Sequence, residues 1–415
     1  MNKILALLLS LLLLTSCSSA GSSMSFSERA DAAKKLDSRL ARQSNELGLK
    51  LFSQLREQSG GGRNLTISPY SISAALALAY NGSKGETAEE LGKLLGYAPD
   101  ELDQLNTSEG ALLPLLNDAG PGIQLELANS VWANQDIPLR KGYLKASKDY
   151  YDAQIRTADL TGDKSVKAIN EWVSDHTSGK IDRMLEQPPG AQSVAVLVNA
   201  LYFKGGWKKV FLEGNTHPDD FYPASGPAVE VLLMNQAGHF LYAEDKDWQA
   251  VRLPYGEGQM HMIVILPAKD SSLNTLLNHL AKDGLPSDDQ FSGKQGSLSL
   301  PRFTASYGTD LKEAVQALGV KLAFDPRKGD FSALADTGTP IFISSIIHKT
   351  YIEVNESGTE AAASTLVGML AGGAASPAEA PFEMIVNRPF IYIIEDIQTG
   401  VWLFMGAIEN PLLTE

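Results

Sequence analysis

The chain has 415 residues, 44% hydrophobic and 20% charged, enough apolar material for one large core or two moderate ones. Its formal net charge is −14 at pH 7 and it has no basic block, which argues against a nucleic-acid partner. The single cysteine, Cys17, excludes an internal disulfide, so stability must come from packing alone.

The first segment, MNKILALLLSLLLLTSC, has Lys3, an apolar run from Ile4 to Leu14, and small residues before Cys17. That is the pattern of a signal peptide, with an apolar core too short for a stable membrane span. Leu14-Thr15-Ser16-Cys17 resembles the lipobox of bacterial lipoproteins, which implies removal of residues 1–16 and acylation of Cys17. Removal takes away Lys3 and no acid, so the mature charge becomes −14 − 1 = −15. Residues 17–26 then read as a lipidated cysteine and a Ser/Gly-rich tether holding the rest off a membrane. An exported, membrane-anchored location is expected, on the outer membrane or cell surface, facing the periplasm or the outside.

From about Ser27 the pattern is helical, with Leu47, Leu51, Phe52 and Leu55 on one face until SGGGRN at 59–64. A short strand comes next, and then a helix apolar nearly all round from Ile72 to Tyr80, which must be buried. Thr87-Ala88-Glu89-Glu90 fits a capping box opening another helix that stops at Gly96. IQLELANSVWA reads as a strand, KSVKAINEWVSDHTSGKIDRML as helical, and VAVLVNALYFKGGW (194–207) as a central strand. WQAVRLPY and QMHMIVILP are further strands, LKEAVQALGV is a short helix, and FIYIIED and GVWLFMGAI are strands joined by the turn Asp396–Gly400. Nothing between 27 and 415 reads as an interdomain linker or a repeat, so one α+β domain is expected.

The departure from this pattern is NESGTEAAASTLVGMLAGGAASPAEA, from Asn355 to Ala380. Between Gly358 and Asn387 lie 28 residues that read as a structureless loop, longer than a compact domain usually carries. Pro377 and Pro381 argue against an ordered central strand in its second half. There is no G-x-S-x-G elbow, no H-E-x-x-H and no P-loop, and the six histidines lack metal-ligand spacing. His261, in an apolar strand pattern, reads as structural. An enzyme, a bound metal and a cofactor are therefore not expected.

NESGTEAAAST resembles the hinge of the reactive-centre loop of serpins, the suicide inhibitors of proteases. The segments NLTISPYSISAALALAYNGSKGETAEEL, INEWVSDHTSGKIDRML, VLVNALYFKGGWKKVF and FEMIVNRPFIYIIEDIQTGVWLFMGAIENP resemble further family blocks, in the family's order. The resemblance implies a serpin fold over 27–415, with three β-sheets, about eight to nine helices, and an exposed reactive-centre loop at about 356–386. It implies that a protease is acylated by the loop, that the cut loop inserts into the large sheet as a new strand, and that the trapped protease is distorted. A monomer is expected.

It also implies site residues. The hinge comprises Glu356, Gly358, Thr359, Glu360, Ala361, Ala362 and Ala363. Inserted as a strand, Thr359, Ala361, Ala363 and Thr365 would share one face, and Glu360, Ala362 and Ser364 the other. Small residues there keep insertion free of overpacking and of buried charge. Family "shutter" positions map onto Ser68, Ser71, Asn199 and His348, and the "breach" tryptophan onto Trp207. Counting about fifteen residues from Gly358 puts the scissile bond at Gly372-Gly373, but the loop beyond is about six residues longer than is common. Met369, Leu370 and Ala371 are the alternative anchors. No Lys or Arg lies between Gly358 and Asn387, which points away from trypsin-like targets and toward elastase-like or subtilisin-like serine proteases and some cysteine proteases. Two alternatives stay open: a non-inhibitory member acting as a lipid-anchored binding module, and a hydrolase.

Overall fold

A computed structural model describes residues 24–190, 195–359 and 380–414. Cys17, Glu360, Ala361, Ala362, Ala363, Met369, Leu370, Ala371, Gly372 and Gly373 lie outside these residues. The described helices are α1 (Phe26–Ala33), α2 (Arg39–Ser59), α3 (Pro69–Gly82), α4 (Gly85–Leu95), α5 (Leu102–Asn117), α6 (Lys141–Tyr151), α7 (Asp163–Asp175), α8 (Leu273–Asp283) and α9 (Lys312–Ala317). The strands run β1 (Leu65–Ile67), β2 (Ile123–Asn134), β3 (Gln154–Ala158), β4 (Ala195–Gly206), β5 (His217–Phe221), β6 (Val229–Glu244), β7 (Trp248–Tyr255) and β8 (Met260–Pro267). They continue as β9 (Ser292–Pro301), β10 (Phe303–Asp310), β11 (Ile343–Asn355), β12 (Gly358–Thr359), β13 (Phe382–Ile385), β14 (Phe390–Asp396) and β15 (Trp402–Ile408).

One six-stranded sheet has the order β10-β11-β12-β4-β2-β3, and a nine-stranded one runs β1-β15-β14-β8-β7-β6-β9-β13 with β5 on β6. Two of the three sheets that the resemblance implies are thus continuous by hydrogen bonding. The cause is β6, 16 residues long, which pairs with β5 and β9 through its first part and with β7 through Leu241–Glu244.

The central strand of the six-stranded sheet, β4, is buried on both faces. β4 sends Leu197, Leu201 and Phe203 into the main core, and Val196, Val198 and Ala200 toward Ile169, Trp172 and Val173 of α7. This is the period-two alternation of a central strand, here apolar on both sides. Under the main-core face lies α3, buried from Pro69 to Tyr80. It starts with Pro69 after Ser68, whose Oγ accepts the Ser71 N–H at 3.2 Å.

Four sequence expectations need correction. Helix α4 begins at Gly85, ahead of the expected capping box. The Thr87 hydroxyl instead accepts the Asp330 N–H at 3.1 Å, and Glu90 accepts the Lys321 and Leu322 N–H groups at 2.7 Å. Both residues cap chain that lies far off in sequence. Helix α7 stops at Asp175, because Ser178 and Gly179 take left-handed backbone at φ 50° and 75°. The interval read as structureless holds β12 at its start and β13 at its end. Pro381 directly precedes β13, an edge strand running parallel to β9, where a missing N–H is tolerated. The helical pattern from Ser27 is also two helices, broken between Lys34 and Ser38.

Glu109 on α5 is 1% exposed; one oxygen accepts the Tyr70 hydroxyl at 3.0 Å and the other has no partner among the described residues. Burial pushes its pKa up to about 7, against the opposing pull of the Tyr70 hydroxyl. A raised folded-state pKa means stability that is complete below about pH 4.5 and lost as pH rises through 7. Glu109→Gln should therefore raise the urea midpoint at pH 8, by up to about 3 kcal/mol of stability, with little change at pH 4.5. Equal shifts at both pH values would show that the carboxyl is not the group responsible.

Candidate functional site

The site is the junction of β11, β12 and β4 and the seam below it. β11 and β4 pair in parallel from Ile343 with Ala195 to Tyr351 with Tyr202. Above that, β12 comes between them: Thr359 is in register with Val354 and Gly205, and Gly358 with Asn355 and Gly206. The chain leaves the top of β11, turns at Glu356–Ser357, and re-enters the sheet for two residues.

Each step of this turn is held by named groups. Trp207 donates its backbone N–H to Ser357 O and its indole N–H to Asn355 O, both at 2.9 Å. Its ring stacks on Tyr255 with centroids 4.4 Å apart. The Tyr255 hydroxyl lies 2.7 Å from the Thr359 hydroxyl, and Thr359 is fully buried. Gly358 sits at φ 142°, and a Cβ there would stand 2.1 Å from Gly205 O, so glycine is required for close approach as well as for backbone freedom. Phe211 donates its N–H to Glu356 O at 3.0 Å. The Glu356 carboxylate accepts from Thr216 Oγ1 at 2.5 Å and from Arg302 Nε at 2.7 Å. Burial alone would raise the Glu356 pKa, but the Arg302 and Thr216 hydrogen bonds outweigh it and hold the carboxyl below the usual range.

Ser68, Ser71, Asn199 and His348 lie together midway down the seam, all with essentially no exposure. His348 Nε2 accepts the Ser68 N–H at 3.1 Å, so Nδ1 carries the proton and donates to Asn199 Oδ1 at 2.7 Å. The Asn199 amide donates to Ser71 O at 3.2 Å and to Asn129 Oδ1 at 2.6 Å. Asn129, Asn199 and His348 are register neighbours on β2, β4 and β11, so a polar row crosses three adjacent strands.

Asn129, Tyr255, Thr216 and Arg302 were missed in the sequence reading. Only Asn129 had a visible signal, an asparagine in the more apolar second half of the strand pattern IQLELANSVWA. His261 does fall in a strand, β8, where its Nε2 lies 2.9 Å from Glu395 Oε2 on β14.

A strand-sized entry between two parallel strands, above a buried polar row, defines a sheet arranged around its own loop. The family model described as serpin (serine protease inhibitor) matches residues 42–411. The chain belongs to the serpin family, whose members are protease inhibitors and generally not enzymes. It is 31% identical to an uncharacterized serpin-like protein of Methanosarcina mazei over 92% of this chain and 89% of that one. It is 32% identical to serine protease inhibitor 42Dd of Drosophila melanogaster over 87% of this chain and 95% of that one. The crystal structure of the thermophilic serpin tengpin in the native state superposes with a TM-score of 0.81 at 30% identity, covering 91% of this chain and 95% of that one.

Proposed function

We propose that this chain is a suicide-substrate inhibitor of endopeptidases, lipid-anchored to a bacterial membrane through Cys17. The target protease attacks a bond within about 369–378; its serine or cysteine forms an acyl link to the loop and the new amino terminus departs. The acylated segment then enters the six-stranded sheet between β11 and β4. The observation that carries this reading is β12: Gly358 and Thr359 already occupy the first two positions of such a strand. The next residues, Glu360 to Thr365, are small apart from Glu360 and suited to continuing it. Insertion requires the pairing between β11 and β4 to part below Thr359, and the polar row of Asn129, Asn199 and His348 crosses that seam. Polar partners of this kind can exchange hydrogen bonds between two arrangements, which gives the proposed shutter role of Ser68, Ser71, Asn199 and His348 a physical basis. Trp207 guards the point of entry.

The target is elastase-like or subtilisin-like, because the loop offers small and aliphatic residues and no base. Mixed with elastase, subtilisin, chymotrypsin and trypsin, the chain from Ser18 onward should give a band of summed mass on denaturing gels with the first two and not with trypsin. Mass spectrometry of that band locates the cut. Cleavage without such a band in every mixture would replace this reading with a non-inhibitory, lipid-anchored binding module.

A further inference from the structure

Immediately behind the hinge, the segment WKKVF (Trp207–Phe211) carries two lysines between two aromatic residues as the chain crosses from β4 toward β6 and β7. It walls a cleft of 310 Å³, at the lower end of the size range of small-molecule sites. The walls are apolar: Trp207, Phe211, Phe240 and Leu253 are buried, and Leu241 at the mouth is 44% exposed. The charged and titratable groups lining it are Lys208, Lys209, Arg252 and His239, with no Asp or Glu. In a chain with 49 acidic and 35 basic residues this sorting runs against the average.

These cations differ in how far they are already engaged. Arg252 pairs with Asp288 at 2.5 Å and lies 4.0 Å from the Phe291 ring centroid. The Lys208 ammonium donates to Glu257 O at 2.9 Å. Lys209 Nζ sits 5.6 Å over the Phe240 ring and donates to Ala237 O at 2.8 Å, with no carboxylate partner among the described residues. Partial burial lowers its pKa, as expected of an ammonium short of a counter-ion. An occupant that completes the cleft therefore has an apolar body and one negative head.

We propose that this cleft binds a free fatty acid, its alkyl chain against Trp207, Phe211, Phe240 and Leu241 and its carboxylate on Lys209, and that occupancy restrains the hinge. The restraint comes from shared residues: Trp207 and Phe211, which the ligand would touch, donate the hydrogen bonds that hold Asn355, Glu356 and Ser357. Filling the cleft removes their freedom to tilt away as the hinge moves.

The test uses the chain from Ser18 onward, which keeps every described element, and dodecanoate below its micellar concentration, with dodecyltrimethylammonium as the probe of opposite charge. Calorimetry should show saturable binding of dodecanoate only, at least tenfold weaker in Lys209→Gln and in Leu241→Glu, both changes at exposed positions. Equal binding of the two probes, no binding, or unchanged affinity in both variants would overturn the site. Hydrogen exchange reads the restraint without any protease: the Trp207 and Phe211 amides should exchange at least threefold more slowly with dodecanoate bound. Binding with unchanged exchange would overturn the restraint and leave the site. Failure to trap a protease bears on neither result.

Discussion

Thr359→Arg should abolish covalent trapping while leaving the loop a good substrate. In the native arrangement Thr359 is fully buried between Val354 and Gly205, with its hydroxyl on Tyr255. An arginine has no room there, and its guanidinium would be buried without a counter-charge, at a cost of several kcal/mol. The native chain can escape that cost by expelling the hinge into solvent; the inserted state cannot, since everything after Thr359 must enter the sheet behind it. Each 1.4 kcal/mol added to the insertion barrier slows insertion about tenfold, while hydrolysis of the acyl link is untouched. About 3 kcal/mol would thus turn a partition favouring the trap into one favouring release of active protease. The measurement is the yield of gel-stable complex with elastase and the fraction of chain recovered cleaved, with Thr359→Ser as the conservative control. Thr359→Arg trapping at the wild-type yield would show that the hinge does not enter the sheet here.

The parts of this site that could be read from the chain are those written in local pattern. The buried helix α3 shows as an apolar run with no polar face, β4 as a long apolar run containing Val196 and Val198 and interrupted by Asn199, and the hinge as a row of mostly small residues after Gly358. The polar row was partly legible, since Asn199 and His348, like Ser68 and Ser71 beside them, came from resemblance, while Asn129 showed only as an asparagine in a strand pattern and was not singled out. Partners set by tertiary approach left no trace. Arg302 reaches Glu356 across 54 residues, and the buried pair Arg29 and Asp396 joins α1 to the end of β14 across 367. The same effect misdirected the capping-box expectation: Thr87 and Glu90 have the right spacing for a local cap, but the hydrogen bonds go to Asp330, Lys321 and Leu322. β13 was obscured because Pro381 reads as a breaker, whereas at the start of an edge strand it costs no ladder hydrogen bond.

Acid should weaken the seam through His348. Its ring is fully buried, and burial drops the imidazole pKa from 6.5 to about 3. Its surroundings leave no place for a second proton, since Nε2 already accepts the Ser68 N–H and a protonated Nε2 would face that donor head on. With the folded-state pKa depressed, the unfolded chain binds more protons between these values. The contribution of His348 to stability is therefore complete above pH 6.5 and is lost as pH falls toward 3, at about 1.4 kcal/mol per pH unit. His348→Gln is the informative variant, because a glutamine amide can donate to Asn199 Oδ1 and accept from Ser68 N–H as the neutral ring does, yet does not titrate. Carboxylates elsewhere will also contribute below pH 5, so the quantity to compare is the difference between the two urea-midpoint profiles from pH 7.5 to 4. Wild type should lose stability more steeply than His348→Gln from about pH 6 downward, and parallel profiles would remove His348 as the cause. Because His348 and Asn199 are register partners across β11 and β4, the loss falls on the pairing that must part for a new strand to enter.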